Sequence, residues 1–162
     1  MATTELQIGD QLIQYDREAT AAIYDTLTTG GAEKCGCIAC KNFAAQRDDI
    51  YPASFRSLLH QLGIDPAKDG WVYDYGPLPD GRYLYGGWFY LIGELITPGE
   101  RNVGSHQGPD NFEFFFTLSP PGHEAFRGKD TLAIDFTAQV KWILPETPEY
   151  GREARNSSSN TT

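Results

Sequence analysis

Cysteine is scarce in this chain and oddly placed: there are three, an odd number, and all fall within six residues, Cys35-Gly36-Cys37-Ile38-Ala39-Cys40. With none elsewhere to be stapled, they cannot build a disulfide framework. Basic residues are outnumbered, 13 Lys and Arg against 22 Asp and Glu, for a formal net charge of −9. That excess of negative charge repels phosphate backbones, so no nucleic-acid partner is expected. No apolar run approaches the roughly 18 residues of a membrane span, and none is expected to cross a bilayer. The start MATTELQIGD has neither the basic residues nor the apolar run of a secretory signal. Also missing are Gly-x-Gly-x-x-Gly, a P-loop, His-Glu-x-x-His and Gly-x-Ser-x-Gly, and with them the commonest nucleotide, zinc-protease and esterase signatures. These absences describe a soluble, cytoplasmic protein.

What is present suffices for a core. Hydrophobic residues make up 40% of the 162 and charged residues 22%, a globular balance. Residues 1–145 are expected to form a single α+β domain. Residues 146–162, with almost nothing to bury, read as a disordered tail. Asn156 and Asn160 there stand in glycosylation-type triplets that such a composition produces by chance. The first residues are expected to be loose.

The first half is patterned for helices. Pro52 suits a helical first turn, and Phe55, Leu58, Leu59 and Leu62 recur at i, i+3, i+4 and i+7. Gly63 then caps the helix in the left-handed conformation and Asp65-Pro66 blocks continuation. A second helix starts near Ile38, with Cys40, Phe43, Ala44 and Arg47 on one face. A third spans 16–27, capped by Asp16, with Ala19, Ala22, Ile23 and Leu27 on one side; Leu12–Tyr15 can also be read as a strand. The second half alternates. Residues 131–144 place Leu132, Ile134, Phe136, Ala138, Val140, Trp142 and Leu144 on one face, and residues 112–118 alternate around Phe112, Phe114, Phe116 and Leu118. An aromatic strand over 83–96 pairs with Trp71–Tyr75 through a Pro/Asp/Gly loop, and Gly86-Gly87 within it signals a bulge or a close backbone approach. N-terminal helices packed on one face of an antiparallel sheet of about four strands is the expected architecture.

The cysteines carry the candidate chemistry. In an extended segment Cys35 and Cys37 point the same way, and Cys40 lies one helical turn beyond Cys37, so all three sulfurs can face one point. A helix start and the flanking Lys34 and Lys41 favour thiolate. Zinc is the default ion for such a set, with an iron–sulfur cluster less favoured. The fourth ligand is open among His60, His106, His123 and an external donor such as water or a partner's residue. His60 lies about 150° round its helix from the apolar stripe, level with Cys40 if the two helices form an antiparallel hairpin. A second reading makes Cys37 or Cys40 the reactive thiol of an enzyme or redox sensor; a third is inert packing. Glu113 and Asp135 can be read as paired catalytic carboxylates, or as the polar face of an exposed sheet, which explains them better. The aromatics from Trp71 to Tyr90 exceed what one face of a small sheet needs, allowing a ligand or partner surface beside core packing.

The run Cys35-x-Cys37-x-x-Cys40-x-Asn42-Phe43 resembles that of an uncharacterised bacterial protein family with the same cysteine spacing followed by Asn-Phe. The likeness extends through Leu62-Gly63-Ile64-Asp65, the strand from Tyr83 to Gly93 and the close at Trp142–Pro145, most of residues 15–145. It implies bacterial origin and a shared fold, with Phe43 anchoring its helix and Asn42 hydrogen-bonding the cysteine loop. It implies no mechanism. A small metal-binding module acting through a protein partner or a second copy of itself is the functional expectation.

Overall fold

In the computed structural model the described residues are 3–100, 106–107, 112–118, 122–146 and 148. The chain runs β1 (Thr4–Ile8), β2 (Gln11–Tyr15), α1 (Arg17–Thr26), α2 (Gly31–Cys35), α3 (Ile38–Ile50), α4 (Ala53–Gln61), β3 (Trp71–Pro77), β4 (Tyr83–Thr97), β5 (His106–Gln107), β6 (Glu113–Leu118) and β7 (Thr131–Val140). The α+β class and the antiparallel sheet are as expected. The sheet is larger, however, with seven strands in the order β1-β2-β4-β7-β6-β5 and β3 also paired to β4. The added strands are the β1–β2 hairpin and the two-residue β5. The N-terminal residues are therefore ordered from Thr4, because β2 pairs along Gly93–Thr97 and gives β1 a template. Of the proposed tail, residues 147 and 149–162 lie outside the described residues.

Long β4 organises the layers. On one edge its residues 83–92 pair with all of β7. On the other, β3 pairs with 83–88 and β2 with 93–97. The gap between those partners leaves backbone groups around Tyr90 and Ile92 to be satisfied, and α1 supplies the partners. Tyr24 Oη donates to Tyr90 O at 2.7 Å, Ile92 N donates to Thr20 Oγ1 at 3.0 Å, and Asp16 N donates to Ile92 O at 2.9 Å. This corrects part of the expected face of α1, although Ile23 and Leu27 do pack against the core. Thr20 and Tyr24 are its buried residues and Ala22 is exposed, because the helix turns polar side chains to a sheet edge whose hydrogen bonds must be met.

The other helices behave as their patterns require. Asp16 caps α1 through Ala19 N. Leu59 O accepts from Ile64 N and His60 O from Gly63 N, with Gly63 at φ +82°, closing α4 in the paired hydrogen bonds of a left-handed glycine stop. Phe43, Phe55, Leu59 and Leu62 are fully buried against Phe89, Phe136 and Leu132 of the sheet. Ring pairs such as Tyr51–Phe136 (5.3 Å, 86°) and Phe55–Phe112 (4.7 Å, 55°) knit this core. Such pairs add about 0.5–1.5 kcal/mol each beyond their buried area.

Gly86 and Gly87 mark close approaches and no bulge, since β4 keeps continuous register with β7 there. A Cβ on Gly87 would stand 2.7 Å from Phe136 Cζ inside, and one on Gly86 would stand 3.0 Å from the Tyr73 ring outside. The register shift falls instead in β3, between Asp74 and Gly76. β6 ends at Leu118 as expected, with that residue 71% exposed, while β7 is shorter than expected, stopping at Val140 before Trp142 and Leu144. The stop has a cause: Asn42, wholly buried on α3, donates to Lys141 O at 3.0 Å and accepts from Ile143 N at 2.9 Å. Asn42 thus holds the segment after β7, and Tyr85 Oη, where a bond to the cysteine loop was expected.

Candidate metal centre

The cysteines sit at the junction of two helices. Residues 28–34 hold no strand, as their composition suggested, but Gly31–Cys35 forms a short helix rather than an extended lead-in. Cys35 is its last residue. Gly36 then takes a left-handed conformation (φ +66°, ψ +6°), donating to Ala32 O at 3.1 Å, and turns the chain back. Cys37 is the N-cap of α3, its Sγ accepting from Cys40 N at 3.4 Å, and Lys41 N bonds Cys37 O at 2.9 Å to begin the helix. Cys40 lies one turn in, with its thiol 3.9 Å from Val72 O of β3.

All three Sγ atoms lie within 4.8 Å of one another. Three thiolates on one tetrahedral zinc, with Zn–S about 2.3 Å, stand about 3.8 Å apart. The sulfurs stand wider than that by at most about 1 Å. The site is graded from outside to inside: Cys35 exposed, Cys37 half-buried, Cys40 buried. No disulfide links them. Burial, and then the neighbouring Cys35 and Cys37, push the Cys40 thiol up, the opposite of an activated nucleophile.

The histidines do not join the cluster. His60 is exposed in a shallow depression with Arg17, Asp25 and Pro66, on the α1 side of α4. His123 caps the 3-10 turn Glu124–Phe126, its Nδ1 accepting from Ala125 N at 3.2 Å, and packs edge-on against Phe126. Burial and then Lys34 hold its pKa below the usual histidine value. His106 contributes backbone to β5, and its side chain lies outside the described residues. Among the described residues no His, Asp or Glu forms part of the group with the three sulfurs. Glu113 and Asp135 stand diagonally across β6 and β7 on the sheet's outer face, away from the helices.

Sequence reading missed the device that fixes α2 against α3. Arg47 of α3, with its side chain only 9% exposed, forms a two-pronged pair with Glu33 of α2 at 2.7 and 3.0 Å, and its Nη2 reaches Asp69 Oδ1 at 2.9 Å. The other Asp69 oxygen accepts from Ala32 N at 3.1 Å, and Asp69 O accepts from Gly31 N at 2.8 Å. Cys35 and Cys40 are each on a helix held by this clamp. Burial raises the Asp69 pKa despite Arg47, whereas for Glu33 burial is outweighed by the Arg47 bonds, lowering its pKa. The available signal was glycine: a Cβ on Gly30 would meet Asp69 Oδ1 at 2.7 Å, and one on Gly31 would meet Gly70 O at 2.9 Å. The pairs Gly30-Gly31 and Asp69-Gly70 announce two backbones in contact.

No family model, curated protein or solved structure matches this chain, so the site speaks through its geometry.

Proposed function

We propose that the chain is a small metal-binding module, that Cys35, Cys37 and Cys40 hold a zinc ion, and that it works by binding a protein partner. The convergence of three sulfurs within 4.8 Å on two clamped helices is the observation that carries this reading. Sulfur donors in a tetrahedral arrangement suit zinc. The fourth position falls to water or to a residue of the partner, consistent with Cys35 lying at the surface. A reducing bacterial cytoplasm is the setting in which such a cluster stays unoxidised, and the Asn-Phe resemblance points the same way. No described helix is long and apolar enough to cross a membrane.

The competing reading, a thiol enzyme or redox sensor using Cys37 or Cys40, requires an accessible thiol of lowered pKa, and the buried Cys40 does not offer one. Elemental analysis of protein purified without added metal tests the proposal. About one equivalent of zinc is expected; less than about a tenth of an equivalent of any transition metal refutes it, since structural zinc binds tightly. Colour and iron in place of zinc would make the site an iron–sulfur centre.

A further inference from the structure

The sheet's outer face carries exposed aromatic residues. Trp71 is 45% exposed and Tyr75 59% exposed, while Val72 between Trp71 and Tyr73 is buried. Trp71 stands opposite Trp88 in register, and Tyr73 opposite Gly86, so these three large rings share one side of β3 and β4. Tyr75 is the extra residue where β3 slips register, which lifts it clear of the sheet. Because Gly86 has no Cβ, the Tyr73 ring lies down on the strand. Tyr73 meets Tyr75 at 4.8 Å and 84°, and Trp88 at 5.9 Å and 55°, and the two tyrosine hydroxyls are bonded at 2.7 Å.

The rings are steeply tilted and make the walls of a corner. A corner of electron-rich faces suits a compact cation. The charges agree. Along the outward positions of β3, β4, β6 and β7 the charged residues are Glu94, Glu113 and Asp135, all acidic. Asp135, opposite Trp88, is close enough to raise the Tyr73 phenol, after burial and Tyr75. The whole chain carries −9.

We infer that this face, Trp71, Tyr73, Tyr75 and Trp88 with Asp135, is a docking surface for a basic segment of a partner protein, taking a lysine or arginine side chain against the rings. This names a surface for the partner binding proposed above and rests on that half of the reading. Metal content is measured on the same samples, so either half can fail alone.

The test is calorimetric titration of the full chain with a hexapeptide of alternating Lys and Arg, at an ionic strength of about 0.15 M, where charges beyond about 8 Å are screened. Saturable binding is expected. Trp71→Ala and Asp135→Asn are each expected to weaken it about fivefold or more, and Trp142→Phe, at a ring packed on Tyr83 elsewhere, to leave it unchanged. Circular dichroism confirms that the variants are folded; if Trp71→Ala is not, the exposed Tyr75→Ala takes its place. The inference is overturned if the peptide does not bind, or binds wild type and both face variants equally. It is also overturned if cellohexaose binds in the peptide's place, or if the face instead joins two copies, seen as a dimer in sedimentation that Trp71→Ala dissolves.

Discussion

Replacing Arg47 by methionine keeps the side chain's bulk and removes its charge from between α2 and α3. Breaking one member of a buried pair costs about 3–5 kcal/mol, chiefly because the partner is left buried and charged. Here that partner is Asp69, whose side chain has no exposed surface; Glu33, 36% exposed, is solvated and adds at most about 1 kcal/mol. Asp69 can escape by taking up a proton, which at pH 7 costs an aspartate of ordinary pKa about 4 kcal/mol and at pH 5 about 1.5. Proton uptake therefore caps the penalty. Arg47→Met is expected to lose about 3 kcal/mol at pH 7 and about half that or less at pH 5. The sign follows from linkage. Without Arg47 the folded-state pKa of Asp69, already raised by burial, rises further above its unfolded value. The folded state then keeps a proton that the unfolded state releases, so the variant loses stability relative to wild type as pH climbs from about 4 to 7. Urea unfolding of both proteins at the two pH values, in chelator to remove any metal contribution, measures it. A loss below about 1 kcal/mol at pH 7, or an equal loss at both pH values, would refute the buried-carboxylate argument.

Cys37→Ser is expected to lower the melting temperature and loosen residues 28–50 while the sheet persists; hydrogen exchange checks this, and unchanged protection across 28–50 would demote the cysteines to packing. Asn42→Ala should cost about 1–3 kcal/mol by leaving Ile143 N without its acceptor, while Lys141 O keeps the Gln46 donor, with faster exchange at Ile143 as its mark. Gly87→Ala should destabilise by about 2 kcal/mol or more, since the new methyl meets both Trp71 O at 2.5 Å and Phe136; denaturant midpoints decide it.

The parts of the fold that periodicity encodes were legible. The α4 stripe, its Gly63 stop and the inward face of β7 from Leu132 to Val140 follow from residue spacing alone. What failed depended on partners distant in sequence. The face of α1 is set by hydrogen-bond demand at Tyr90 and Ile92, which no local pattern states, and the end of β7 is set by Asn42 nearly a hundred residues earlier. The strand β1 is short and largely exposed, with only Leu6 and Ile8 alternating toward the core, so its order comes from β2. At the site, the three cysteines announced themselves by clustering. Glu33 and Asp69 did not, because a carboxylate in a short helix or a loop looks solvated until the arginine that pairs with it is placed.

The position of β2 between β1 and the far end of β4 has a consequence for how the chain acquires its structure. As synthesis proceeds, the hairpin of residues 4–15 emerges before the edge it needs, Gly93–Thr97, which follows some eighty residues later. An isolated two-stranded hairpin is marginal in water. Until β4 is made, the N-terminal strands have no lasting register, and closing so long a loop is a costly step in folding. β4 has a similar hold on β3 and β7, whose pairings also run through it. The sheet therefore assembles around its longest strand, and a substitution that delays β4 leaves both its N-terminal and C-terminal neighbours exposed to pairing with other chains.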